Sequence, residues 1–206
     1  MKITLKPLAW SLLFISFCFT ANAQSLPISD SLRIGVSAEG ATATGIFGTG
    51  VNTSNGGTAA TAYQYGAGIS LRFDYPINKS FYVTANAGYS VFFPTADAQG
   101  SQQVILNTTI PTFQTIPLKL GVKWFTGNRF YFQGEVGETL LANKAQLYAL
   151  NSYAFTWSPQ VGLLFPLKKR HTYIDGGIRF ESFASFYNDG ATNDFWAIHI
   201  AYMFNL

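Results

Sequence analysis

The sequence predicts an all-β protein: an eight-stranded antiparallel up-and-down transmembrane β-barrel. Three observations lead there. Charged residues make up 11% of the 206, against roughly 25% in an ordinary soluble domain. With 48% apolar and 17% aromatic residues, a water-soluble globule would be short of polar surface. Beyond residue 24 the apolar residues alternate with polar ones at period two, which places them on one face of a sheet. No run there approaches the ~18 apolar residues of a membrane-spanning helix.

The first 23 residues have a different character. Lys2 and Lys6 form a positive start, Leu8 to Phe19 an uncharged apolar stretch, and Ala21-Asn22-Ala23 a small-x-small cleavage pattern. Residues 1–23 therefore read as a signal peptide, and 24–206 as the barrel domain. Cys18, the only cysteine, lies in the leader behind Phe17, which is too large to precede a lipoprotein anchor. The mature chain has no thiol, which excludes disulfides, thiolate nucleophiles and cysteine metal sites. Without Lys2 and Lys6, the 13 bases and 10 acids leave a net charge of +1. There is no basic stripe or motif for nucleic acid.

Eight stretches show the alternation. In the first, Leu32–Gly40, Leu32, Ile34, Val36 and Ala38 oppose Arg33, Gly35, Ser37 and Glu39. The second, Tyr63–Asp74, sets Tyr63, Tyr65, Ala67, Ile69, Leu71 and Phe73 against a face with Arg72 and Asp74. The third covers Phe81–Val91 and the fourth Thr115–Trp124, where Ile116, Leu118, Leu120, Val122 and Trp124 oppose Lys119 and Lys123. The fifth, Phe130–Leu140, carries Glu135 on its polar face. The sixth covers Phe155–Phe165, and the seventh, Tyr173–Glu181, carries Asp175 and Arg179. In the last, Phe195–Leu206, Trp196, Ile198, Ile200, Tyr202 and Phe204 oppose Ala197, His199, Ala201 and Met203.

The links between them are short at Pro76–Ser80, Thr126–Asn128 and Leu167–His171. They are long at 41–62, 94–114, 141–152 and 184–194. This is the anatomy of an outer-membrane barrel, with short periplasmic turns and longer extracellular loops. Phe73, Phe81, Trp124, Phe130, Phe165, Tyr202 and Phe204 then lie outward near the turns. Tyr63, Tyr65, Tyr89, Phe155, Trp157, Phe180 and Trp196 lie outward near the loops. Two aromatic girdles around an aliphatic band are what the two lipid–water interfaces select.

Pro117 and Pro159 fall inside strands, where a closed barrel has no edge to excuse a missing donor. The expectation is a bulge at each, or strands that begin later. Glu138 has outward parity, and its place near the loops puts it above the hydrocarbon.

Facing inward are five bases, Arg33, Arg72, Lys119, Lys123 and Arg179, and five acids, Glu39, Asp74, Glu135, Asp175 and Glu181. An eight-stranded barrel is just wide enough for side chains to fill it. These groups are expected to pair into a plug, with water above and below the blocked waist where inward Gly and Ser leave room. His199 reads as a satisfied interior histidine and His171 as a solvated turn residue. Neither belongs to a Ser/His/acid set, so no catalytic, cofactor-binding or metal site is expected. Lys168-Lys169-Arg170 reads as a solvated turn within reach of anionic lipid heads. The glycine-rich stretch Gly45–Gly57 lacks the Lys-Ser/Thr ending of a phosphate loop and no helix is expected after it, so it reads as a mobile surface loop.

The ending Trp196-Ala-Ile-His-Ile-Ala-Tyr-Met-Phe204-Asn-Leu206 resembles the C-terminal strand of bacterial outer-membrane proteins. Ile116-Pro-Leu-Lys-Leu-Gly-Val-Lys-Trp124 is similar to a segment recurrent among small eight-stranded barrels of the OmpA/OmpX-like, Bacteroidetes type. That resemblance implies residence in the bacterial outer membrane, contact with its lipid and lipopolysaccharide, and recognition of the last strand by the barrel-assembly machinery. It implies little about activity. The expectation is a non-enzymatic barrel with a structural, adhesive or surface-binding role through its loops, the extracellular ligand being unspecified. A small pore and a secreted soluble ligand-binding barrel are the alternatives.

Overall fold

A computed structural model describes residues 31–49, 63–95, 110–167, 171–187 and 190–206. Its strands are β1 (Arg33–Thr44), β2 (Tyr63–Pro76), β3 (Phe81–Pro94), β4 (Phe113–Phe125), β5 (Phe130–Leu141), β6 (Tyr153–Leu167), β7 (Thr172–Ala184) and β8 (Thr192–Asn205). Each pairs antiparallel with the next, and β8 returns to β1 to close the barrel. All eight expected strands are present in the expected order. The leader 1–23, the Lys168–Arg170 cluster and residues 50–62 of the glycine-rich stretch lie outside the described residues.

The strands outrun the alternating stretches at the loop end. Ala41–Thr44 alternates only Ala with Thr and carries no large apolar residue, yet it pairs with Asp194–Ala197 of β8. Closure gives each strand a backbone partner on both sides, so hydrogen bonding extends pairing beyond the pattern that side-chain burial writes into the sequence. The short links close tightly. At 77–80 the Asn78 Oδ1 accepts from the Ser80 and Phe81 amides, both at 2.9 Å, an Asx turn.

Three expectations need correction. Tyr63 does not join the outer girdle: the β2–β3 register shifts between Tyr63 and Tyr65. The extra residue reverses parity, so Tyr63 is buried inside while Tyr65 is exposed. Pro117 and Pro159 bring neither bulges nor late strand starts. The β3–β4 register is the same on both sides of Pro117, and the β6–β7 register on both sides of Pro159. Pairing is interrupted only beside each ring, at 88–89 opposite 116–117 and at 158–159 opposite 180–181. The missing donor costs a rung rather than a register. Finally, the glycine-rich stretch begins not as free loop but as a single helical turn, α1 (Gly45–Thr49), entered through Gly45 at φ +57°. A second short helix, α2 (Lys144–Leu147), lies in the β5–β6 loop.

Outside, the apolar residues form a continuous belt: Val36, Ile69, Leu71, Leu118, Leu120, Val122, Val136, Ile178, Ile198 and Ile200 are all exposed. Aromatics bound it at both ends. Near the turns Phe81 stacks on Trp124 at 6.0 Å and 10°, and Tyr202 meets Phe204 edge-on at 4.7 Å. Near the loops Phe180 packs against Trp157 at 5.7 Å and Trp196 at 5.2 Å. Glu138 is exposed beside Phe155, its β6 partner, at the level of the loop-side aromatics.

Candidate functional site

The bore of the barrel gathers the charged residues, and it is built in three layers. In the middle lie all ten charges expected there, each in at least one ion pair. They fall into two groups. Nearer the turns, Lys123 Nζ lies 2.6 Å from Asp74 and 3.2 Å from Asp175, with Arg33 and Arg72 each 3.9 Å from one of those aspartates. Nearer the loops, Lys119 Nζ lies 2.5 Å from Glu181 and 3.5 Å from Glu135. Arg179 lies 2.7 Å from Glu39 and 3.0 Å from Glu181. The turn-side group holds three bases and two acids, the loop-side group two bases and three acids. The charges cancel over the whole bore but not within either group.

Neutral groups complete the shell. Tyr131 Oη donates to Asp175 at 2.6 Å, Ser70 Oγ to Glu39 at 3.1 Å, and Gln133 Nε2 to Glu135 at 2.7 Å. Hydrogen-bonded partners of this kind are what make a buried charge tolerable. His199 is buried as expected, with Nε2 3.5 Å from Asp175 and 3.4 Å from the Tyr131 hydroxyl. His171 is exposed at the β6–β7 turn, in a left-handed conformation at φ 50°.

Above and below this layer the sequence reading expected water. The side chains found there are apolar instead. On the turn side, Tyr82, Phe125, Tyr131, Leu164, Tyr173 and Met203 form one buried cluster. Arg33 closes it, its guanidinium 4.4 Å over the Tyr82 ring and 5.1 Å from that of Tyr173. On the loop side Phe92, Phe113, Phe183, Phe186 and Phe195 form another, together with Tyr63. Phe47 of α1 is its centre, with ring centroids 5.4 Å from Tyr63, 5.1 Å from Phe92, 5.3 Å from Phe113 and 6.0 Å from Phe183. The inward glycines make room for these rings. A Cβ on Gly162 would strike Tyr131, and one on Gly66 would strike Phe92.

The loops above this seal are tied to one another. Leu150 and Asn151 amides both donate to the Phe186 carbonyl, at 3.1 and 3.0 Å, and Tyr187 Oη donates to the Leu147 carbonyl at 2.9 Å. Tyr148, in a left-handed conformation at φ 52°, stands 88% exposed on this platform, with Leu150 and Tyr187 beside it. Sequence reasoning missed both the seal and the platform. The available signal was adjacent aromatics such as Phe92-Phe93 and Trp124-Phe125, which put one ring on each face of a strand.

No protein-family model matches the chain, and no curated protein is similar to it in sequence. Solved structures are similar in shape. Neisserial surface protein A aligns with a TM-score of 0.50 at 10% identity, covering 85% of this chain and 97% of its own. The outer membrane protein OprG from Pseudomonas aeruginosa aligns at 0.48 and 12% identity, covering 88% and 100%. The Yersinia pestis outer membrane protein Ail, in a phospholipid bilayer nanodisc, aligns at 0.48 and 12% identity, covering 84% and 99%. At such identity the likeness is one of fold. The chain is a closed eight-stranded up-and-down barrel, and Neisserial surface protein A is similar to it in fold.

Proposed function

We propose that this protein is an integral barrel of the bacterial outer membrane, of the OmpA/OmpX-like Bacteroidetes type. It is non-enzymatic and acts through its long loops in a structural, adhesive or surface-binding role. One observation carries the reading: the polarity of the barrel is inside out. Ten charges lie in the bore, while the belt outside is aliphatic and edged with aromatics. Water would penalise that exterior, and a lipid bilayer rewards it. Lipid and lipopolysaccharide would surround the belt, and the assembly machinery would read β8 through its alternating apolar residues and Phe204.

In this orientation the short turns face the periplasm and the β5–β6 and β7–β8 platform faces outward. Tyr148, Leu150 and Tyr187 on that platform favour recognition: exposed aromatics on braced loops present contact area at little entropic cost. The test exploits the absence of thiols from the mature chain. Tyr148→Cys should react with a membrane-impermeant maleimide on intact cells, and Asn78→Cys only after lysis. The reverse pattern would overturn the orientation. Recovery of the protein in a detergent-free soluble extract would overturn the membrane assignment.

A further inference from the structure

The outer wall has a groove of about 460 Å³ across β2 to β5. Its floor is Ala85 and Ala87 of β3, both only half exposed between larger neighbours. Ala85 pairs with Phe73 on one side and Leu120 on the other, and Leu120 in turn with Val136. Ala87 pairs with Leu118, which pairs with Glu138. Two small residues among four large ones thus make a trough along the belt, and Glu138 stands at its loop-side end.

Glu138 is the unusual member. Its side chain has no hydrogen bond or ion pair among the described residues, although every inward acid has a basic partner. The outward positions of β2 to β5 carry no other charge. At the level of the loop-side aromatics, where the hydrocarbon gives way to headgroups, an unpaired carboxylate attracts a cation. No base of the chain comes to it among the described residues, and lipid headgroups lie at the same level as the carboxylate.

We propose that this trough binds a lipid with a primary-ammonium headgroup, its acyl chain lying over Ala85 and Ala87 and its ammonium paired with Glu138. Charge complementarity selects the headgroup and the trough selects the chain. A phosphate-only headgroup would meet the carboxylate with like charge. A trimethylammonium headgroup would bring charge but no N–H donor. The proposal rests on the membrane reading above.

The test uses the purified full mature barrel in mixed micelles, with lipid retention read by native mass spectrometry. Phosphatidylethanolamine, phosphatidylglycerol and phosphatidylcholine are offered in competition. Wild type should retain phosphatidylethanolamine about five-fold over the others, the scale of one partly desolvated ion pair. Glu138→Gln should abolish the preference while still retaining lipid. Ala85→Leu, which fills the trough, should reduce retention of all three lipids. Equal retention by wild type, or a preference unchanged in Glu138→Gln, would overturn the proposal. So would retention of phosphatidylglycerol that depends on calcium, since Glu138 would then be bridging a cation. Insertion of each variant into vesicles, read by the heat-modifiable folded band, is scored separately. A wild type that inserts but shows no preference defeats this proposal and leaves the membrane reading intact, whereas failure to insert defeats that reading itself.

Discussion

Lys123 reaches across the bore from β4 to place its ammonium 2.6 Å from the Asp74 carboxylate of β2, and the same ammonium lies 3.2 Å from Asp175 of β7. One cation therefore serves two buried anions on strands that are not neighbours. Replacing Lys123 by Met keeps the bulk but removes the nearest cation from both aspartates, leaving Asp74 with Arg33 and Asp175 with Arg72, each at 3.9 Å. The expected loss is about 3–5 kcal/mol, the cost of breaking a close buried pair by removing one partner. Urea titration of the protein folded in vesicles measures it. Adding Asp74→Asn should recover part of the loss, and an additive double mutant would show that the two residues do not interact.

The two faces of the wall should respond very differently to substitution. Leu120 is 63% exposed on the belt, so Leu120→Arg should cost about 2–4 kcal/mol near the midplane. Ser70 is buried in the bore and donates one hydrogen bond to Glu39, so Ser70→Ala should cost about 1 kcal/mol. Equal losses in the same titration would reverse the assignment of inside and outside.

Planar-bilayer recordings of the mature protein should show no steady single-channel conductance, because the bore is closed by two aromatic layers and a charge layer in series. Phe47→Ala separates these. Removing the central ring of the loop-side seal should cost about 3 kcal/mol, yet leave the bilayer silent, since the charge layer below still fills the waist. Reproducible conductance in wild type would move a pore reading to first place. Conductance in the variant alone would make Phe47 the principal barrier.

Export should remove the leader. The exported protein should begin at Gln24, after Ala21-Asn22-Ala23, as read by intact-mass spectrometry. An exported form retaining Met1 would refute the cleavage.

Much of the architecture was legible because a thin wall leaves each residue only two environments. Period-two alternation then records the barrel directly, and Arg72, Asp74, Lys119, Lys123, Asp175 and Arg179 were assignable to the bore from parity alone. Legibility failed where a residue's position depends on another strand. Tyr63 has the parity of Tyr65, and only the pairing of β2 with β3 shows the shift that turns it inward. Phe47 lies in a loop by its surroundings, and nothing local shows that four strands offer rings to receive it. Phe92, Phe113 and Phe183 lie just beyond the alternating stretches, so the parity of those stretches did not reach them. The Pro117 and Pro159 rungs were misjudged for a related reason. One lost hydrogen bond is small beside the pairing on both flanks of a closed sheet, so the register survives.

The division of the bore into two ion groups has a consequence for how the barrel comes together. The turn-side group draws on β1, β2, β4 and β7, and the loop-side group on β1, β4, β5 and β7. Any partial sheet that lacks β7 leaves Lys123, Arg72 and Lys119 short of an anion each, and one that lacks β1 strips Arg179 of Glu39. Half-assembled intermediates are thereby penalised from both ends of the chain. The ladder between β1 and β8 is thus joined by the Glu39–Arg179 pair, which bridges β1 to β7 over β8 and can form only once the circle is complete.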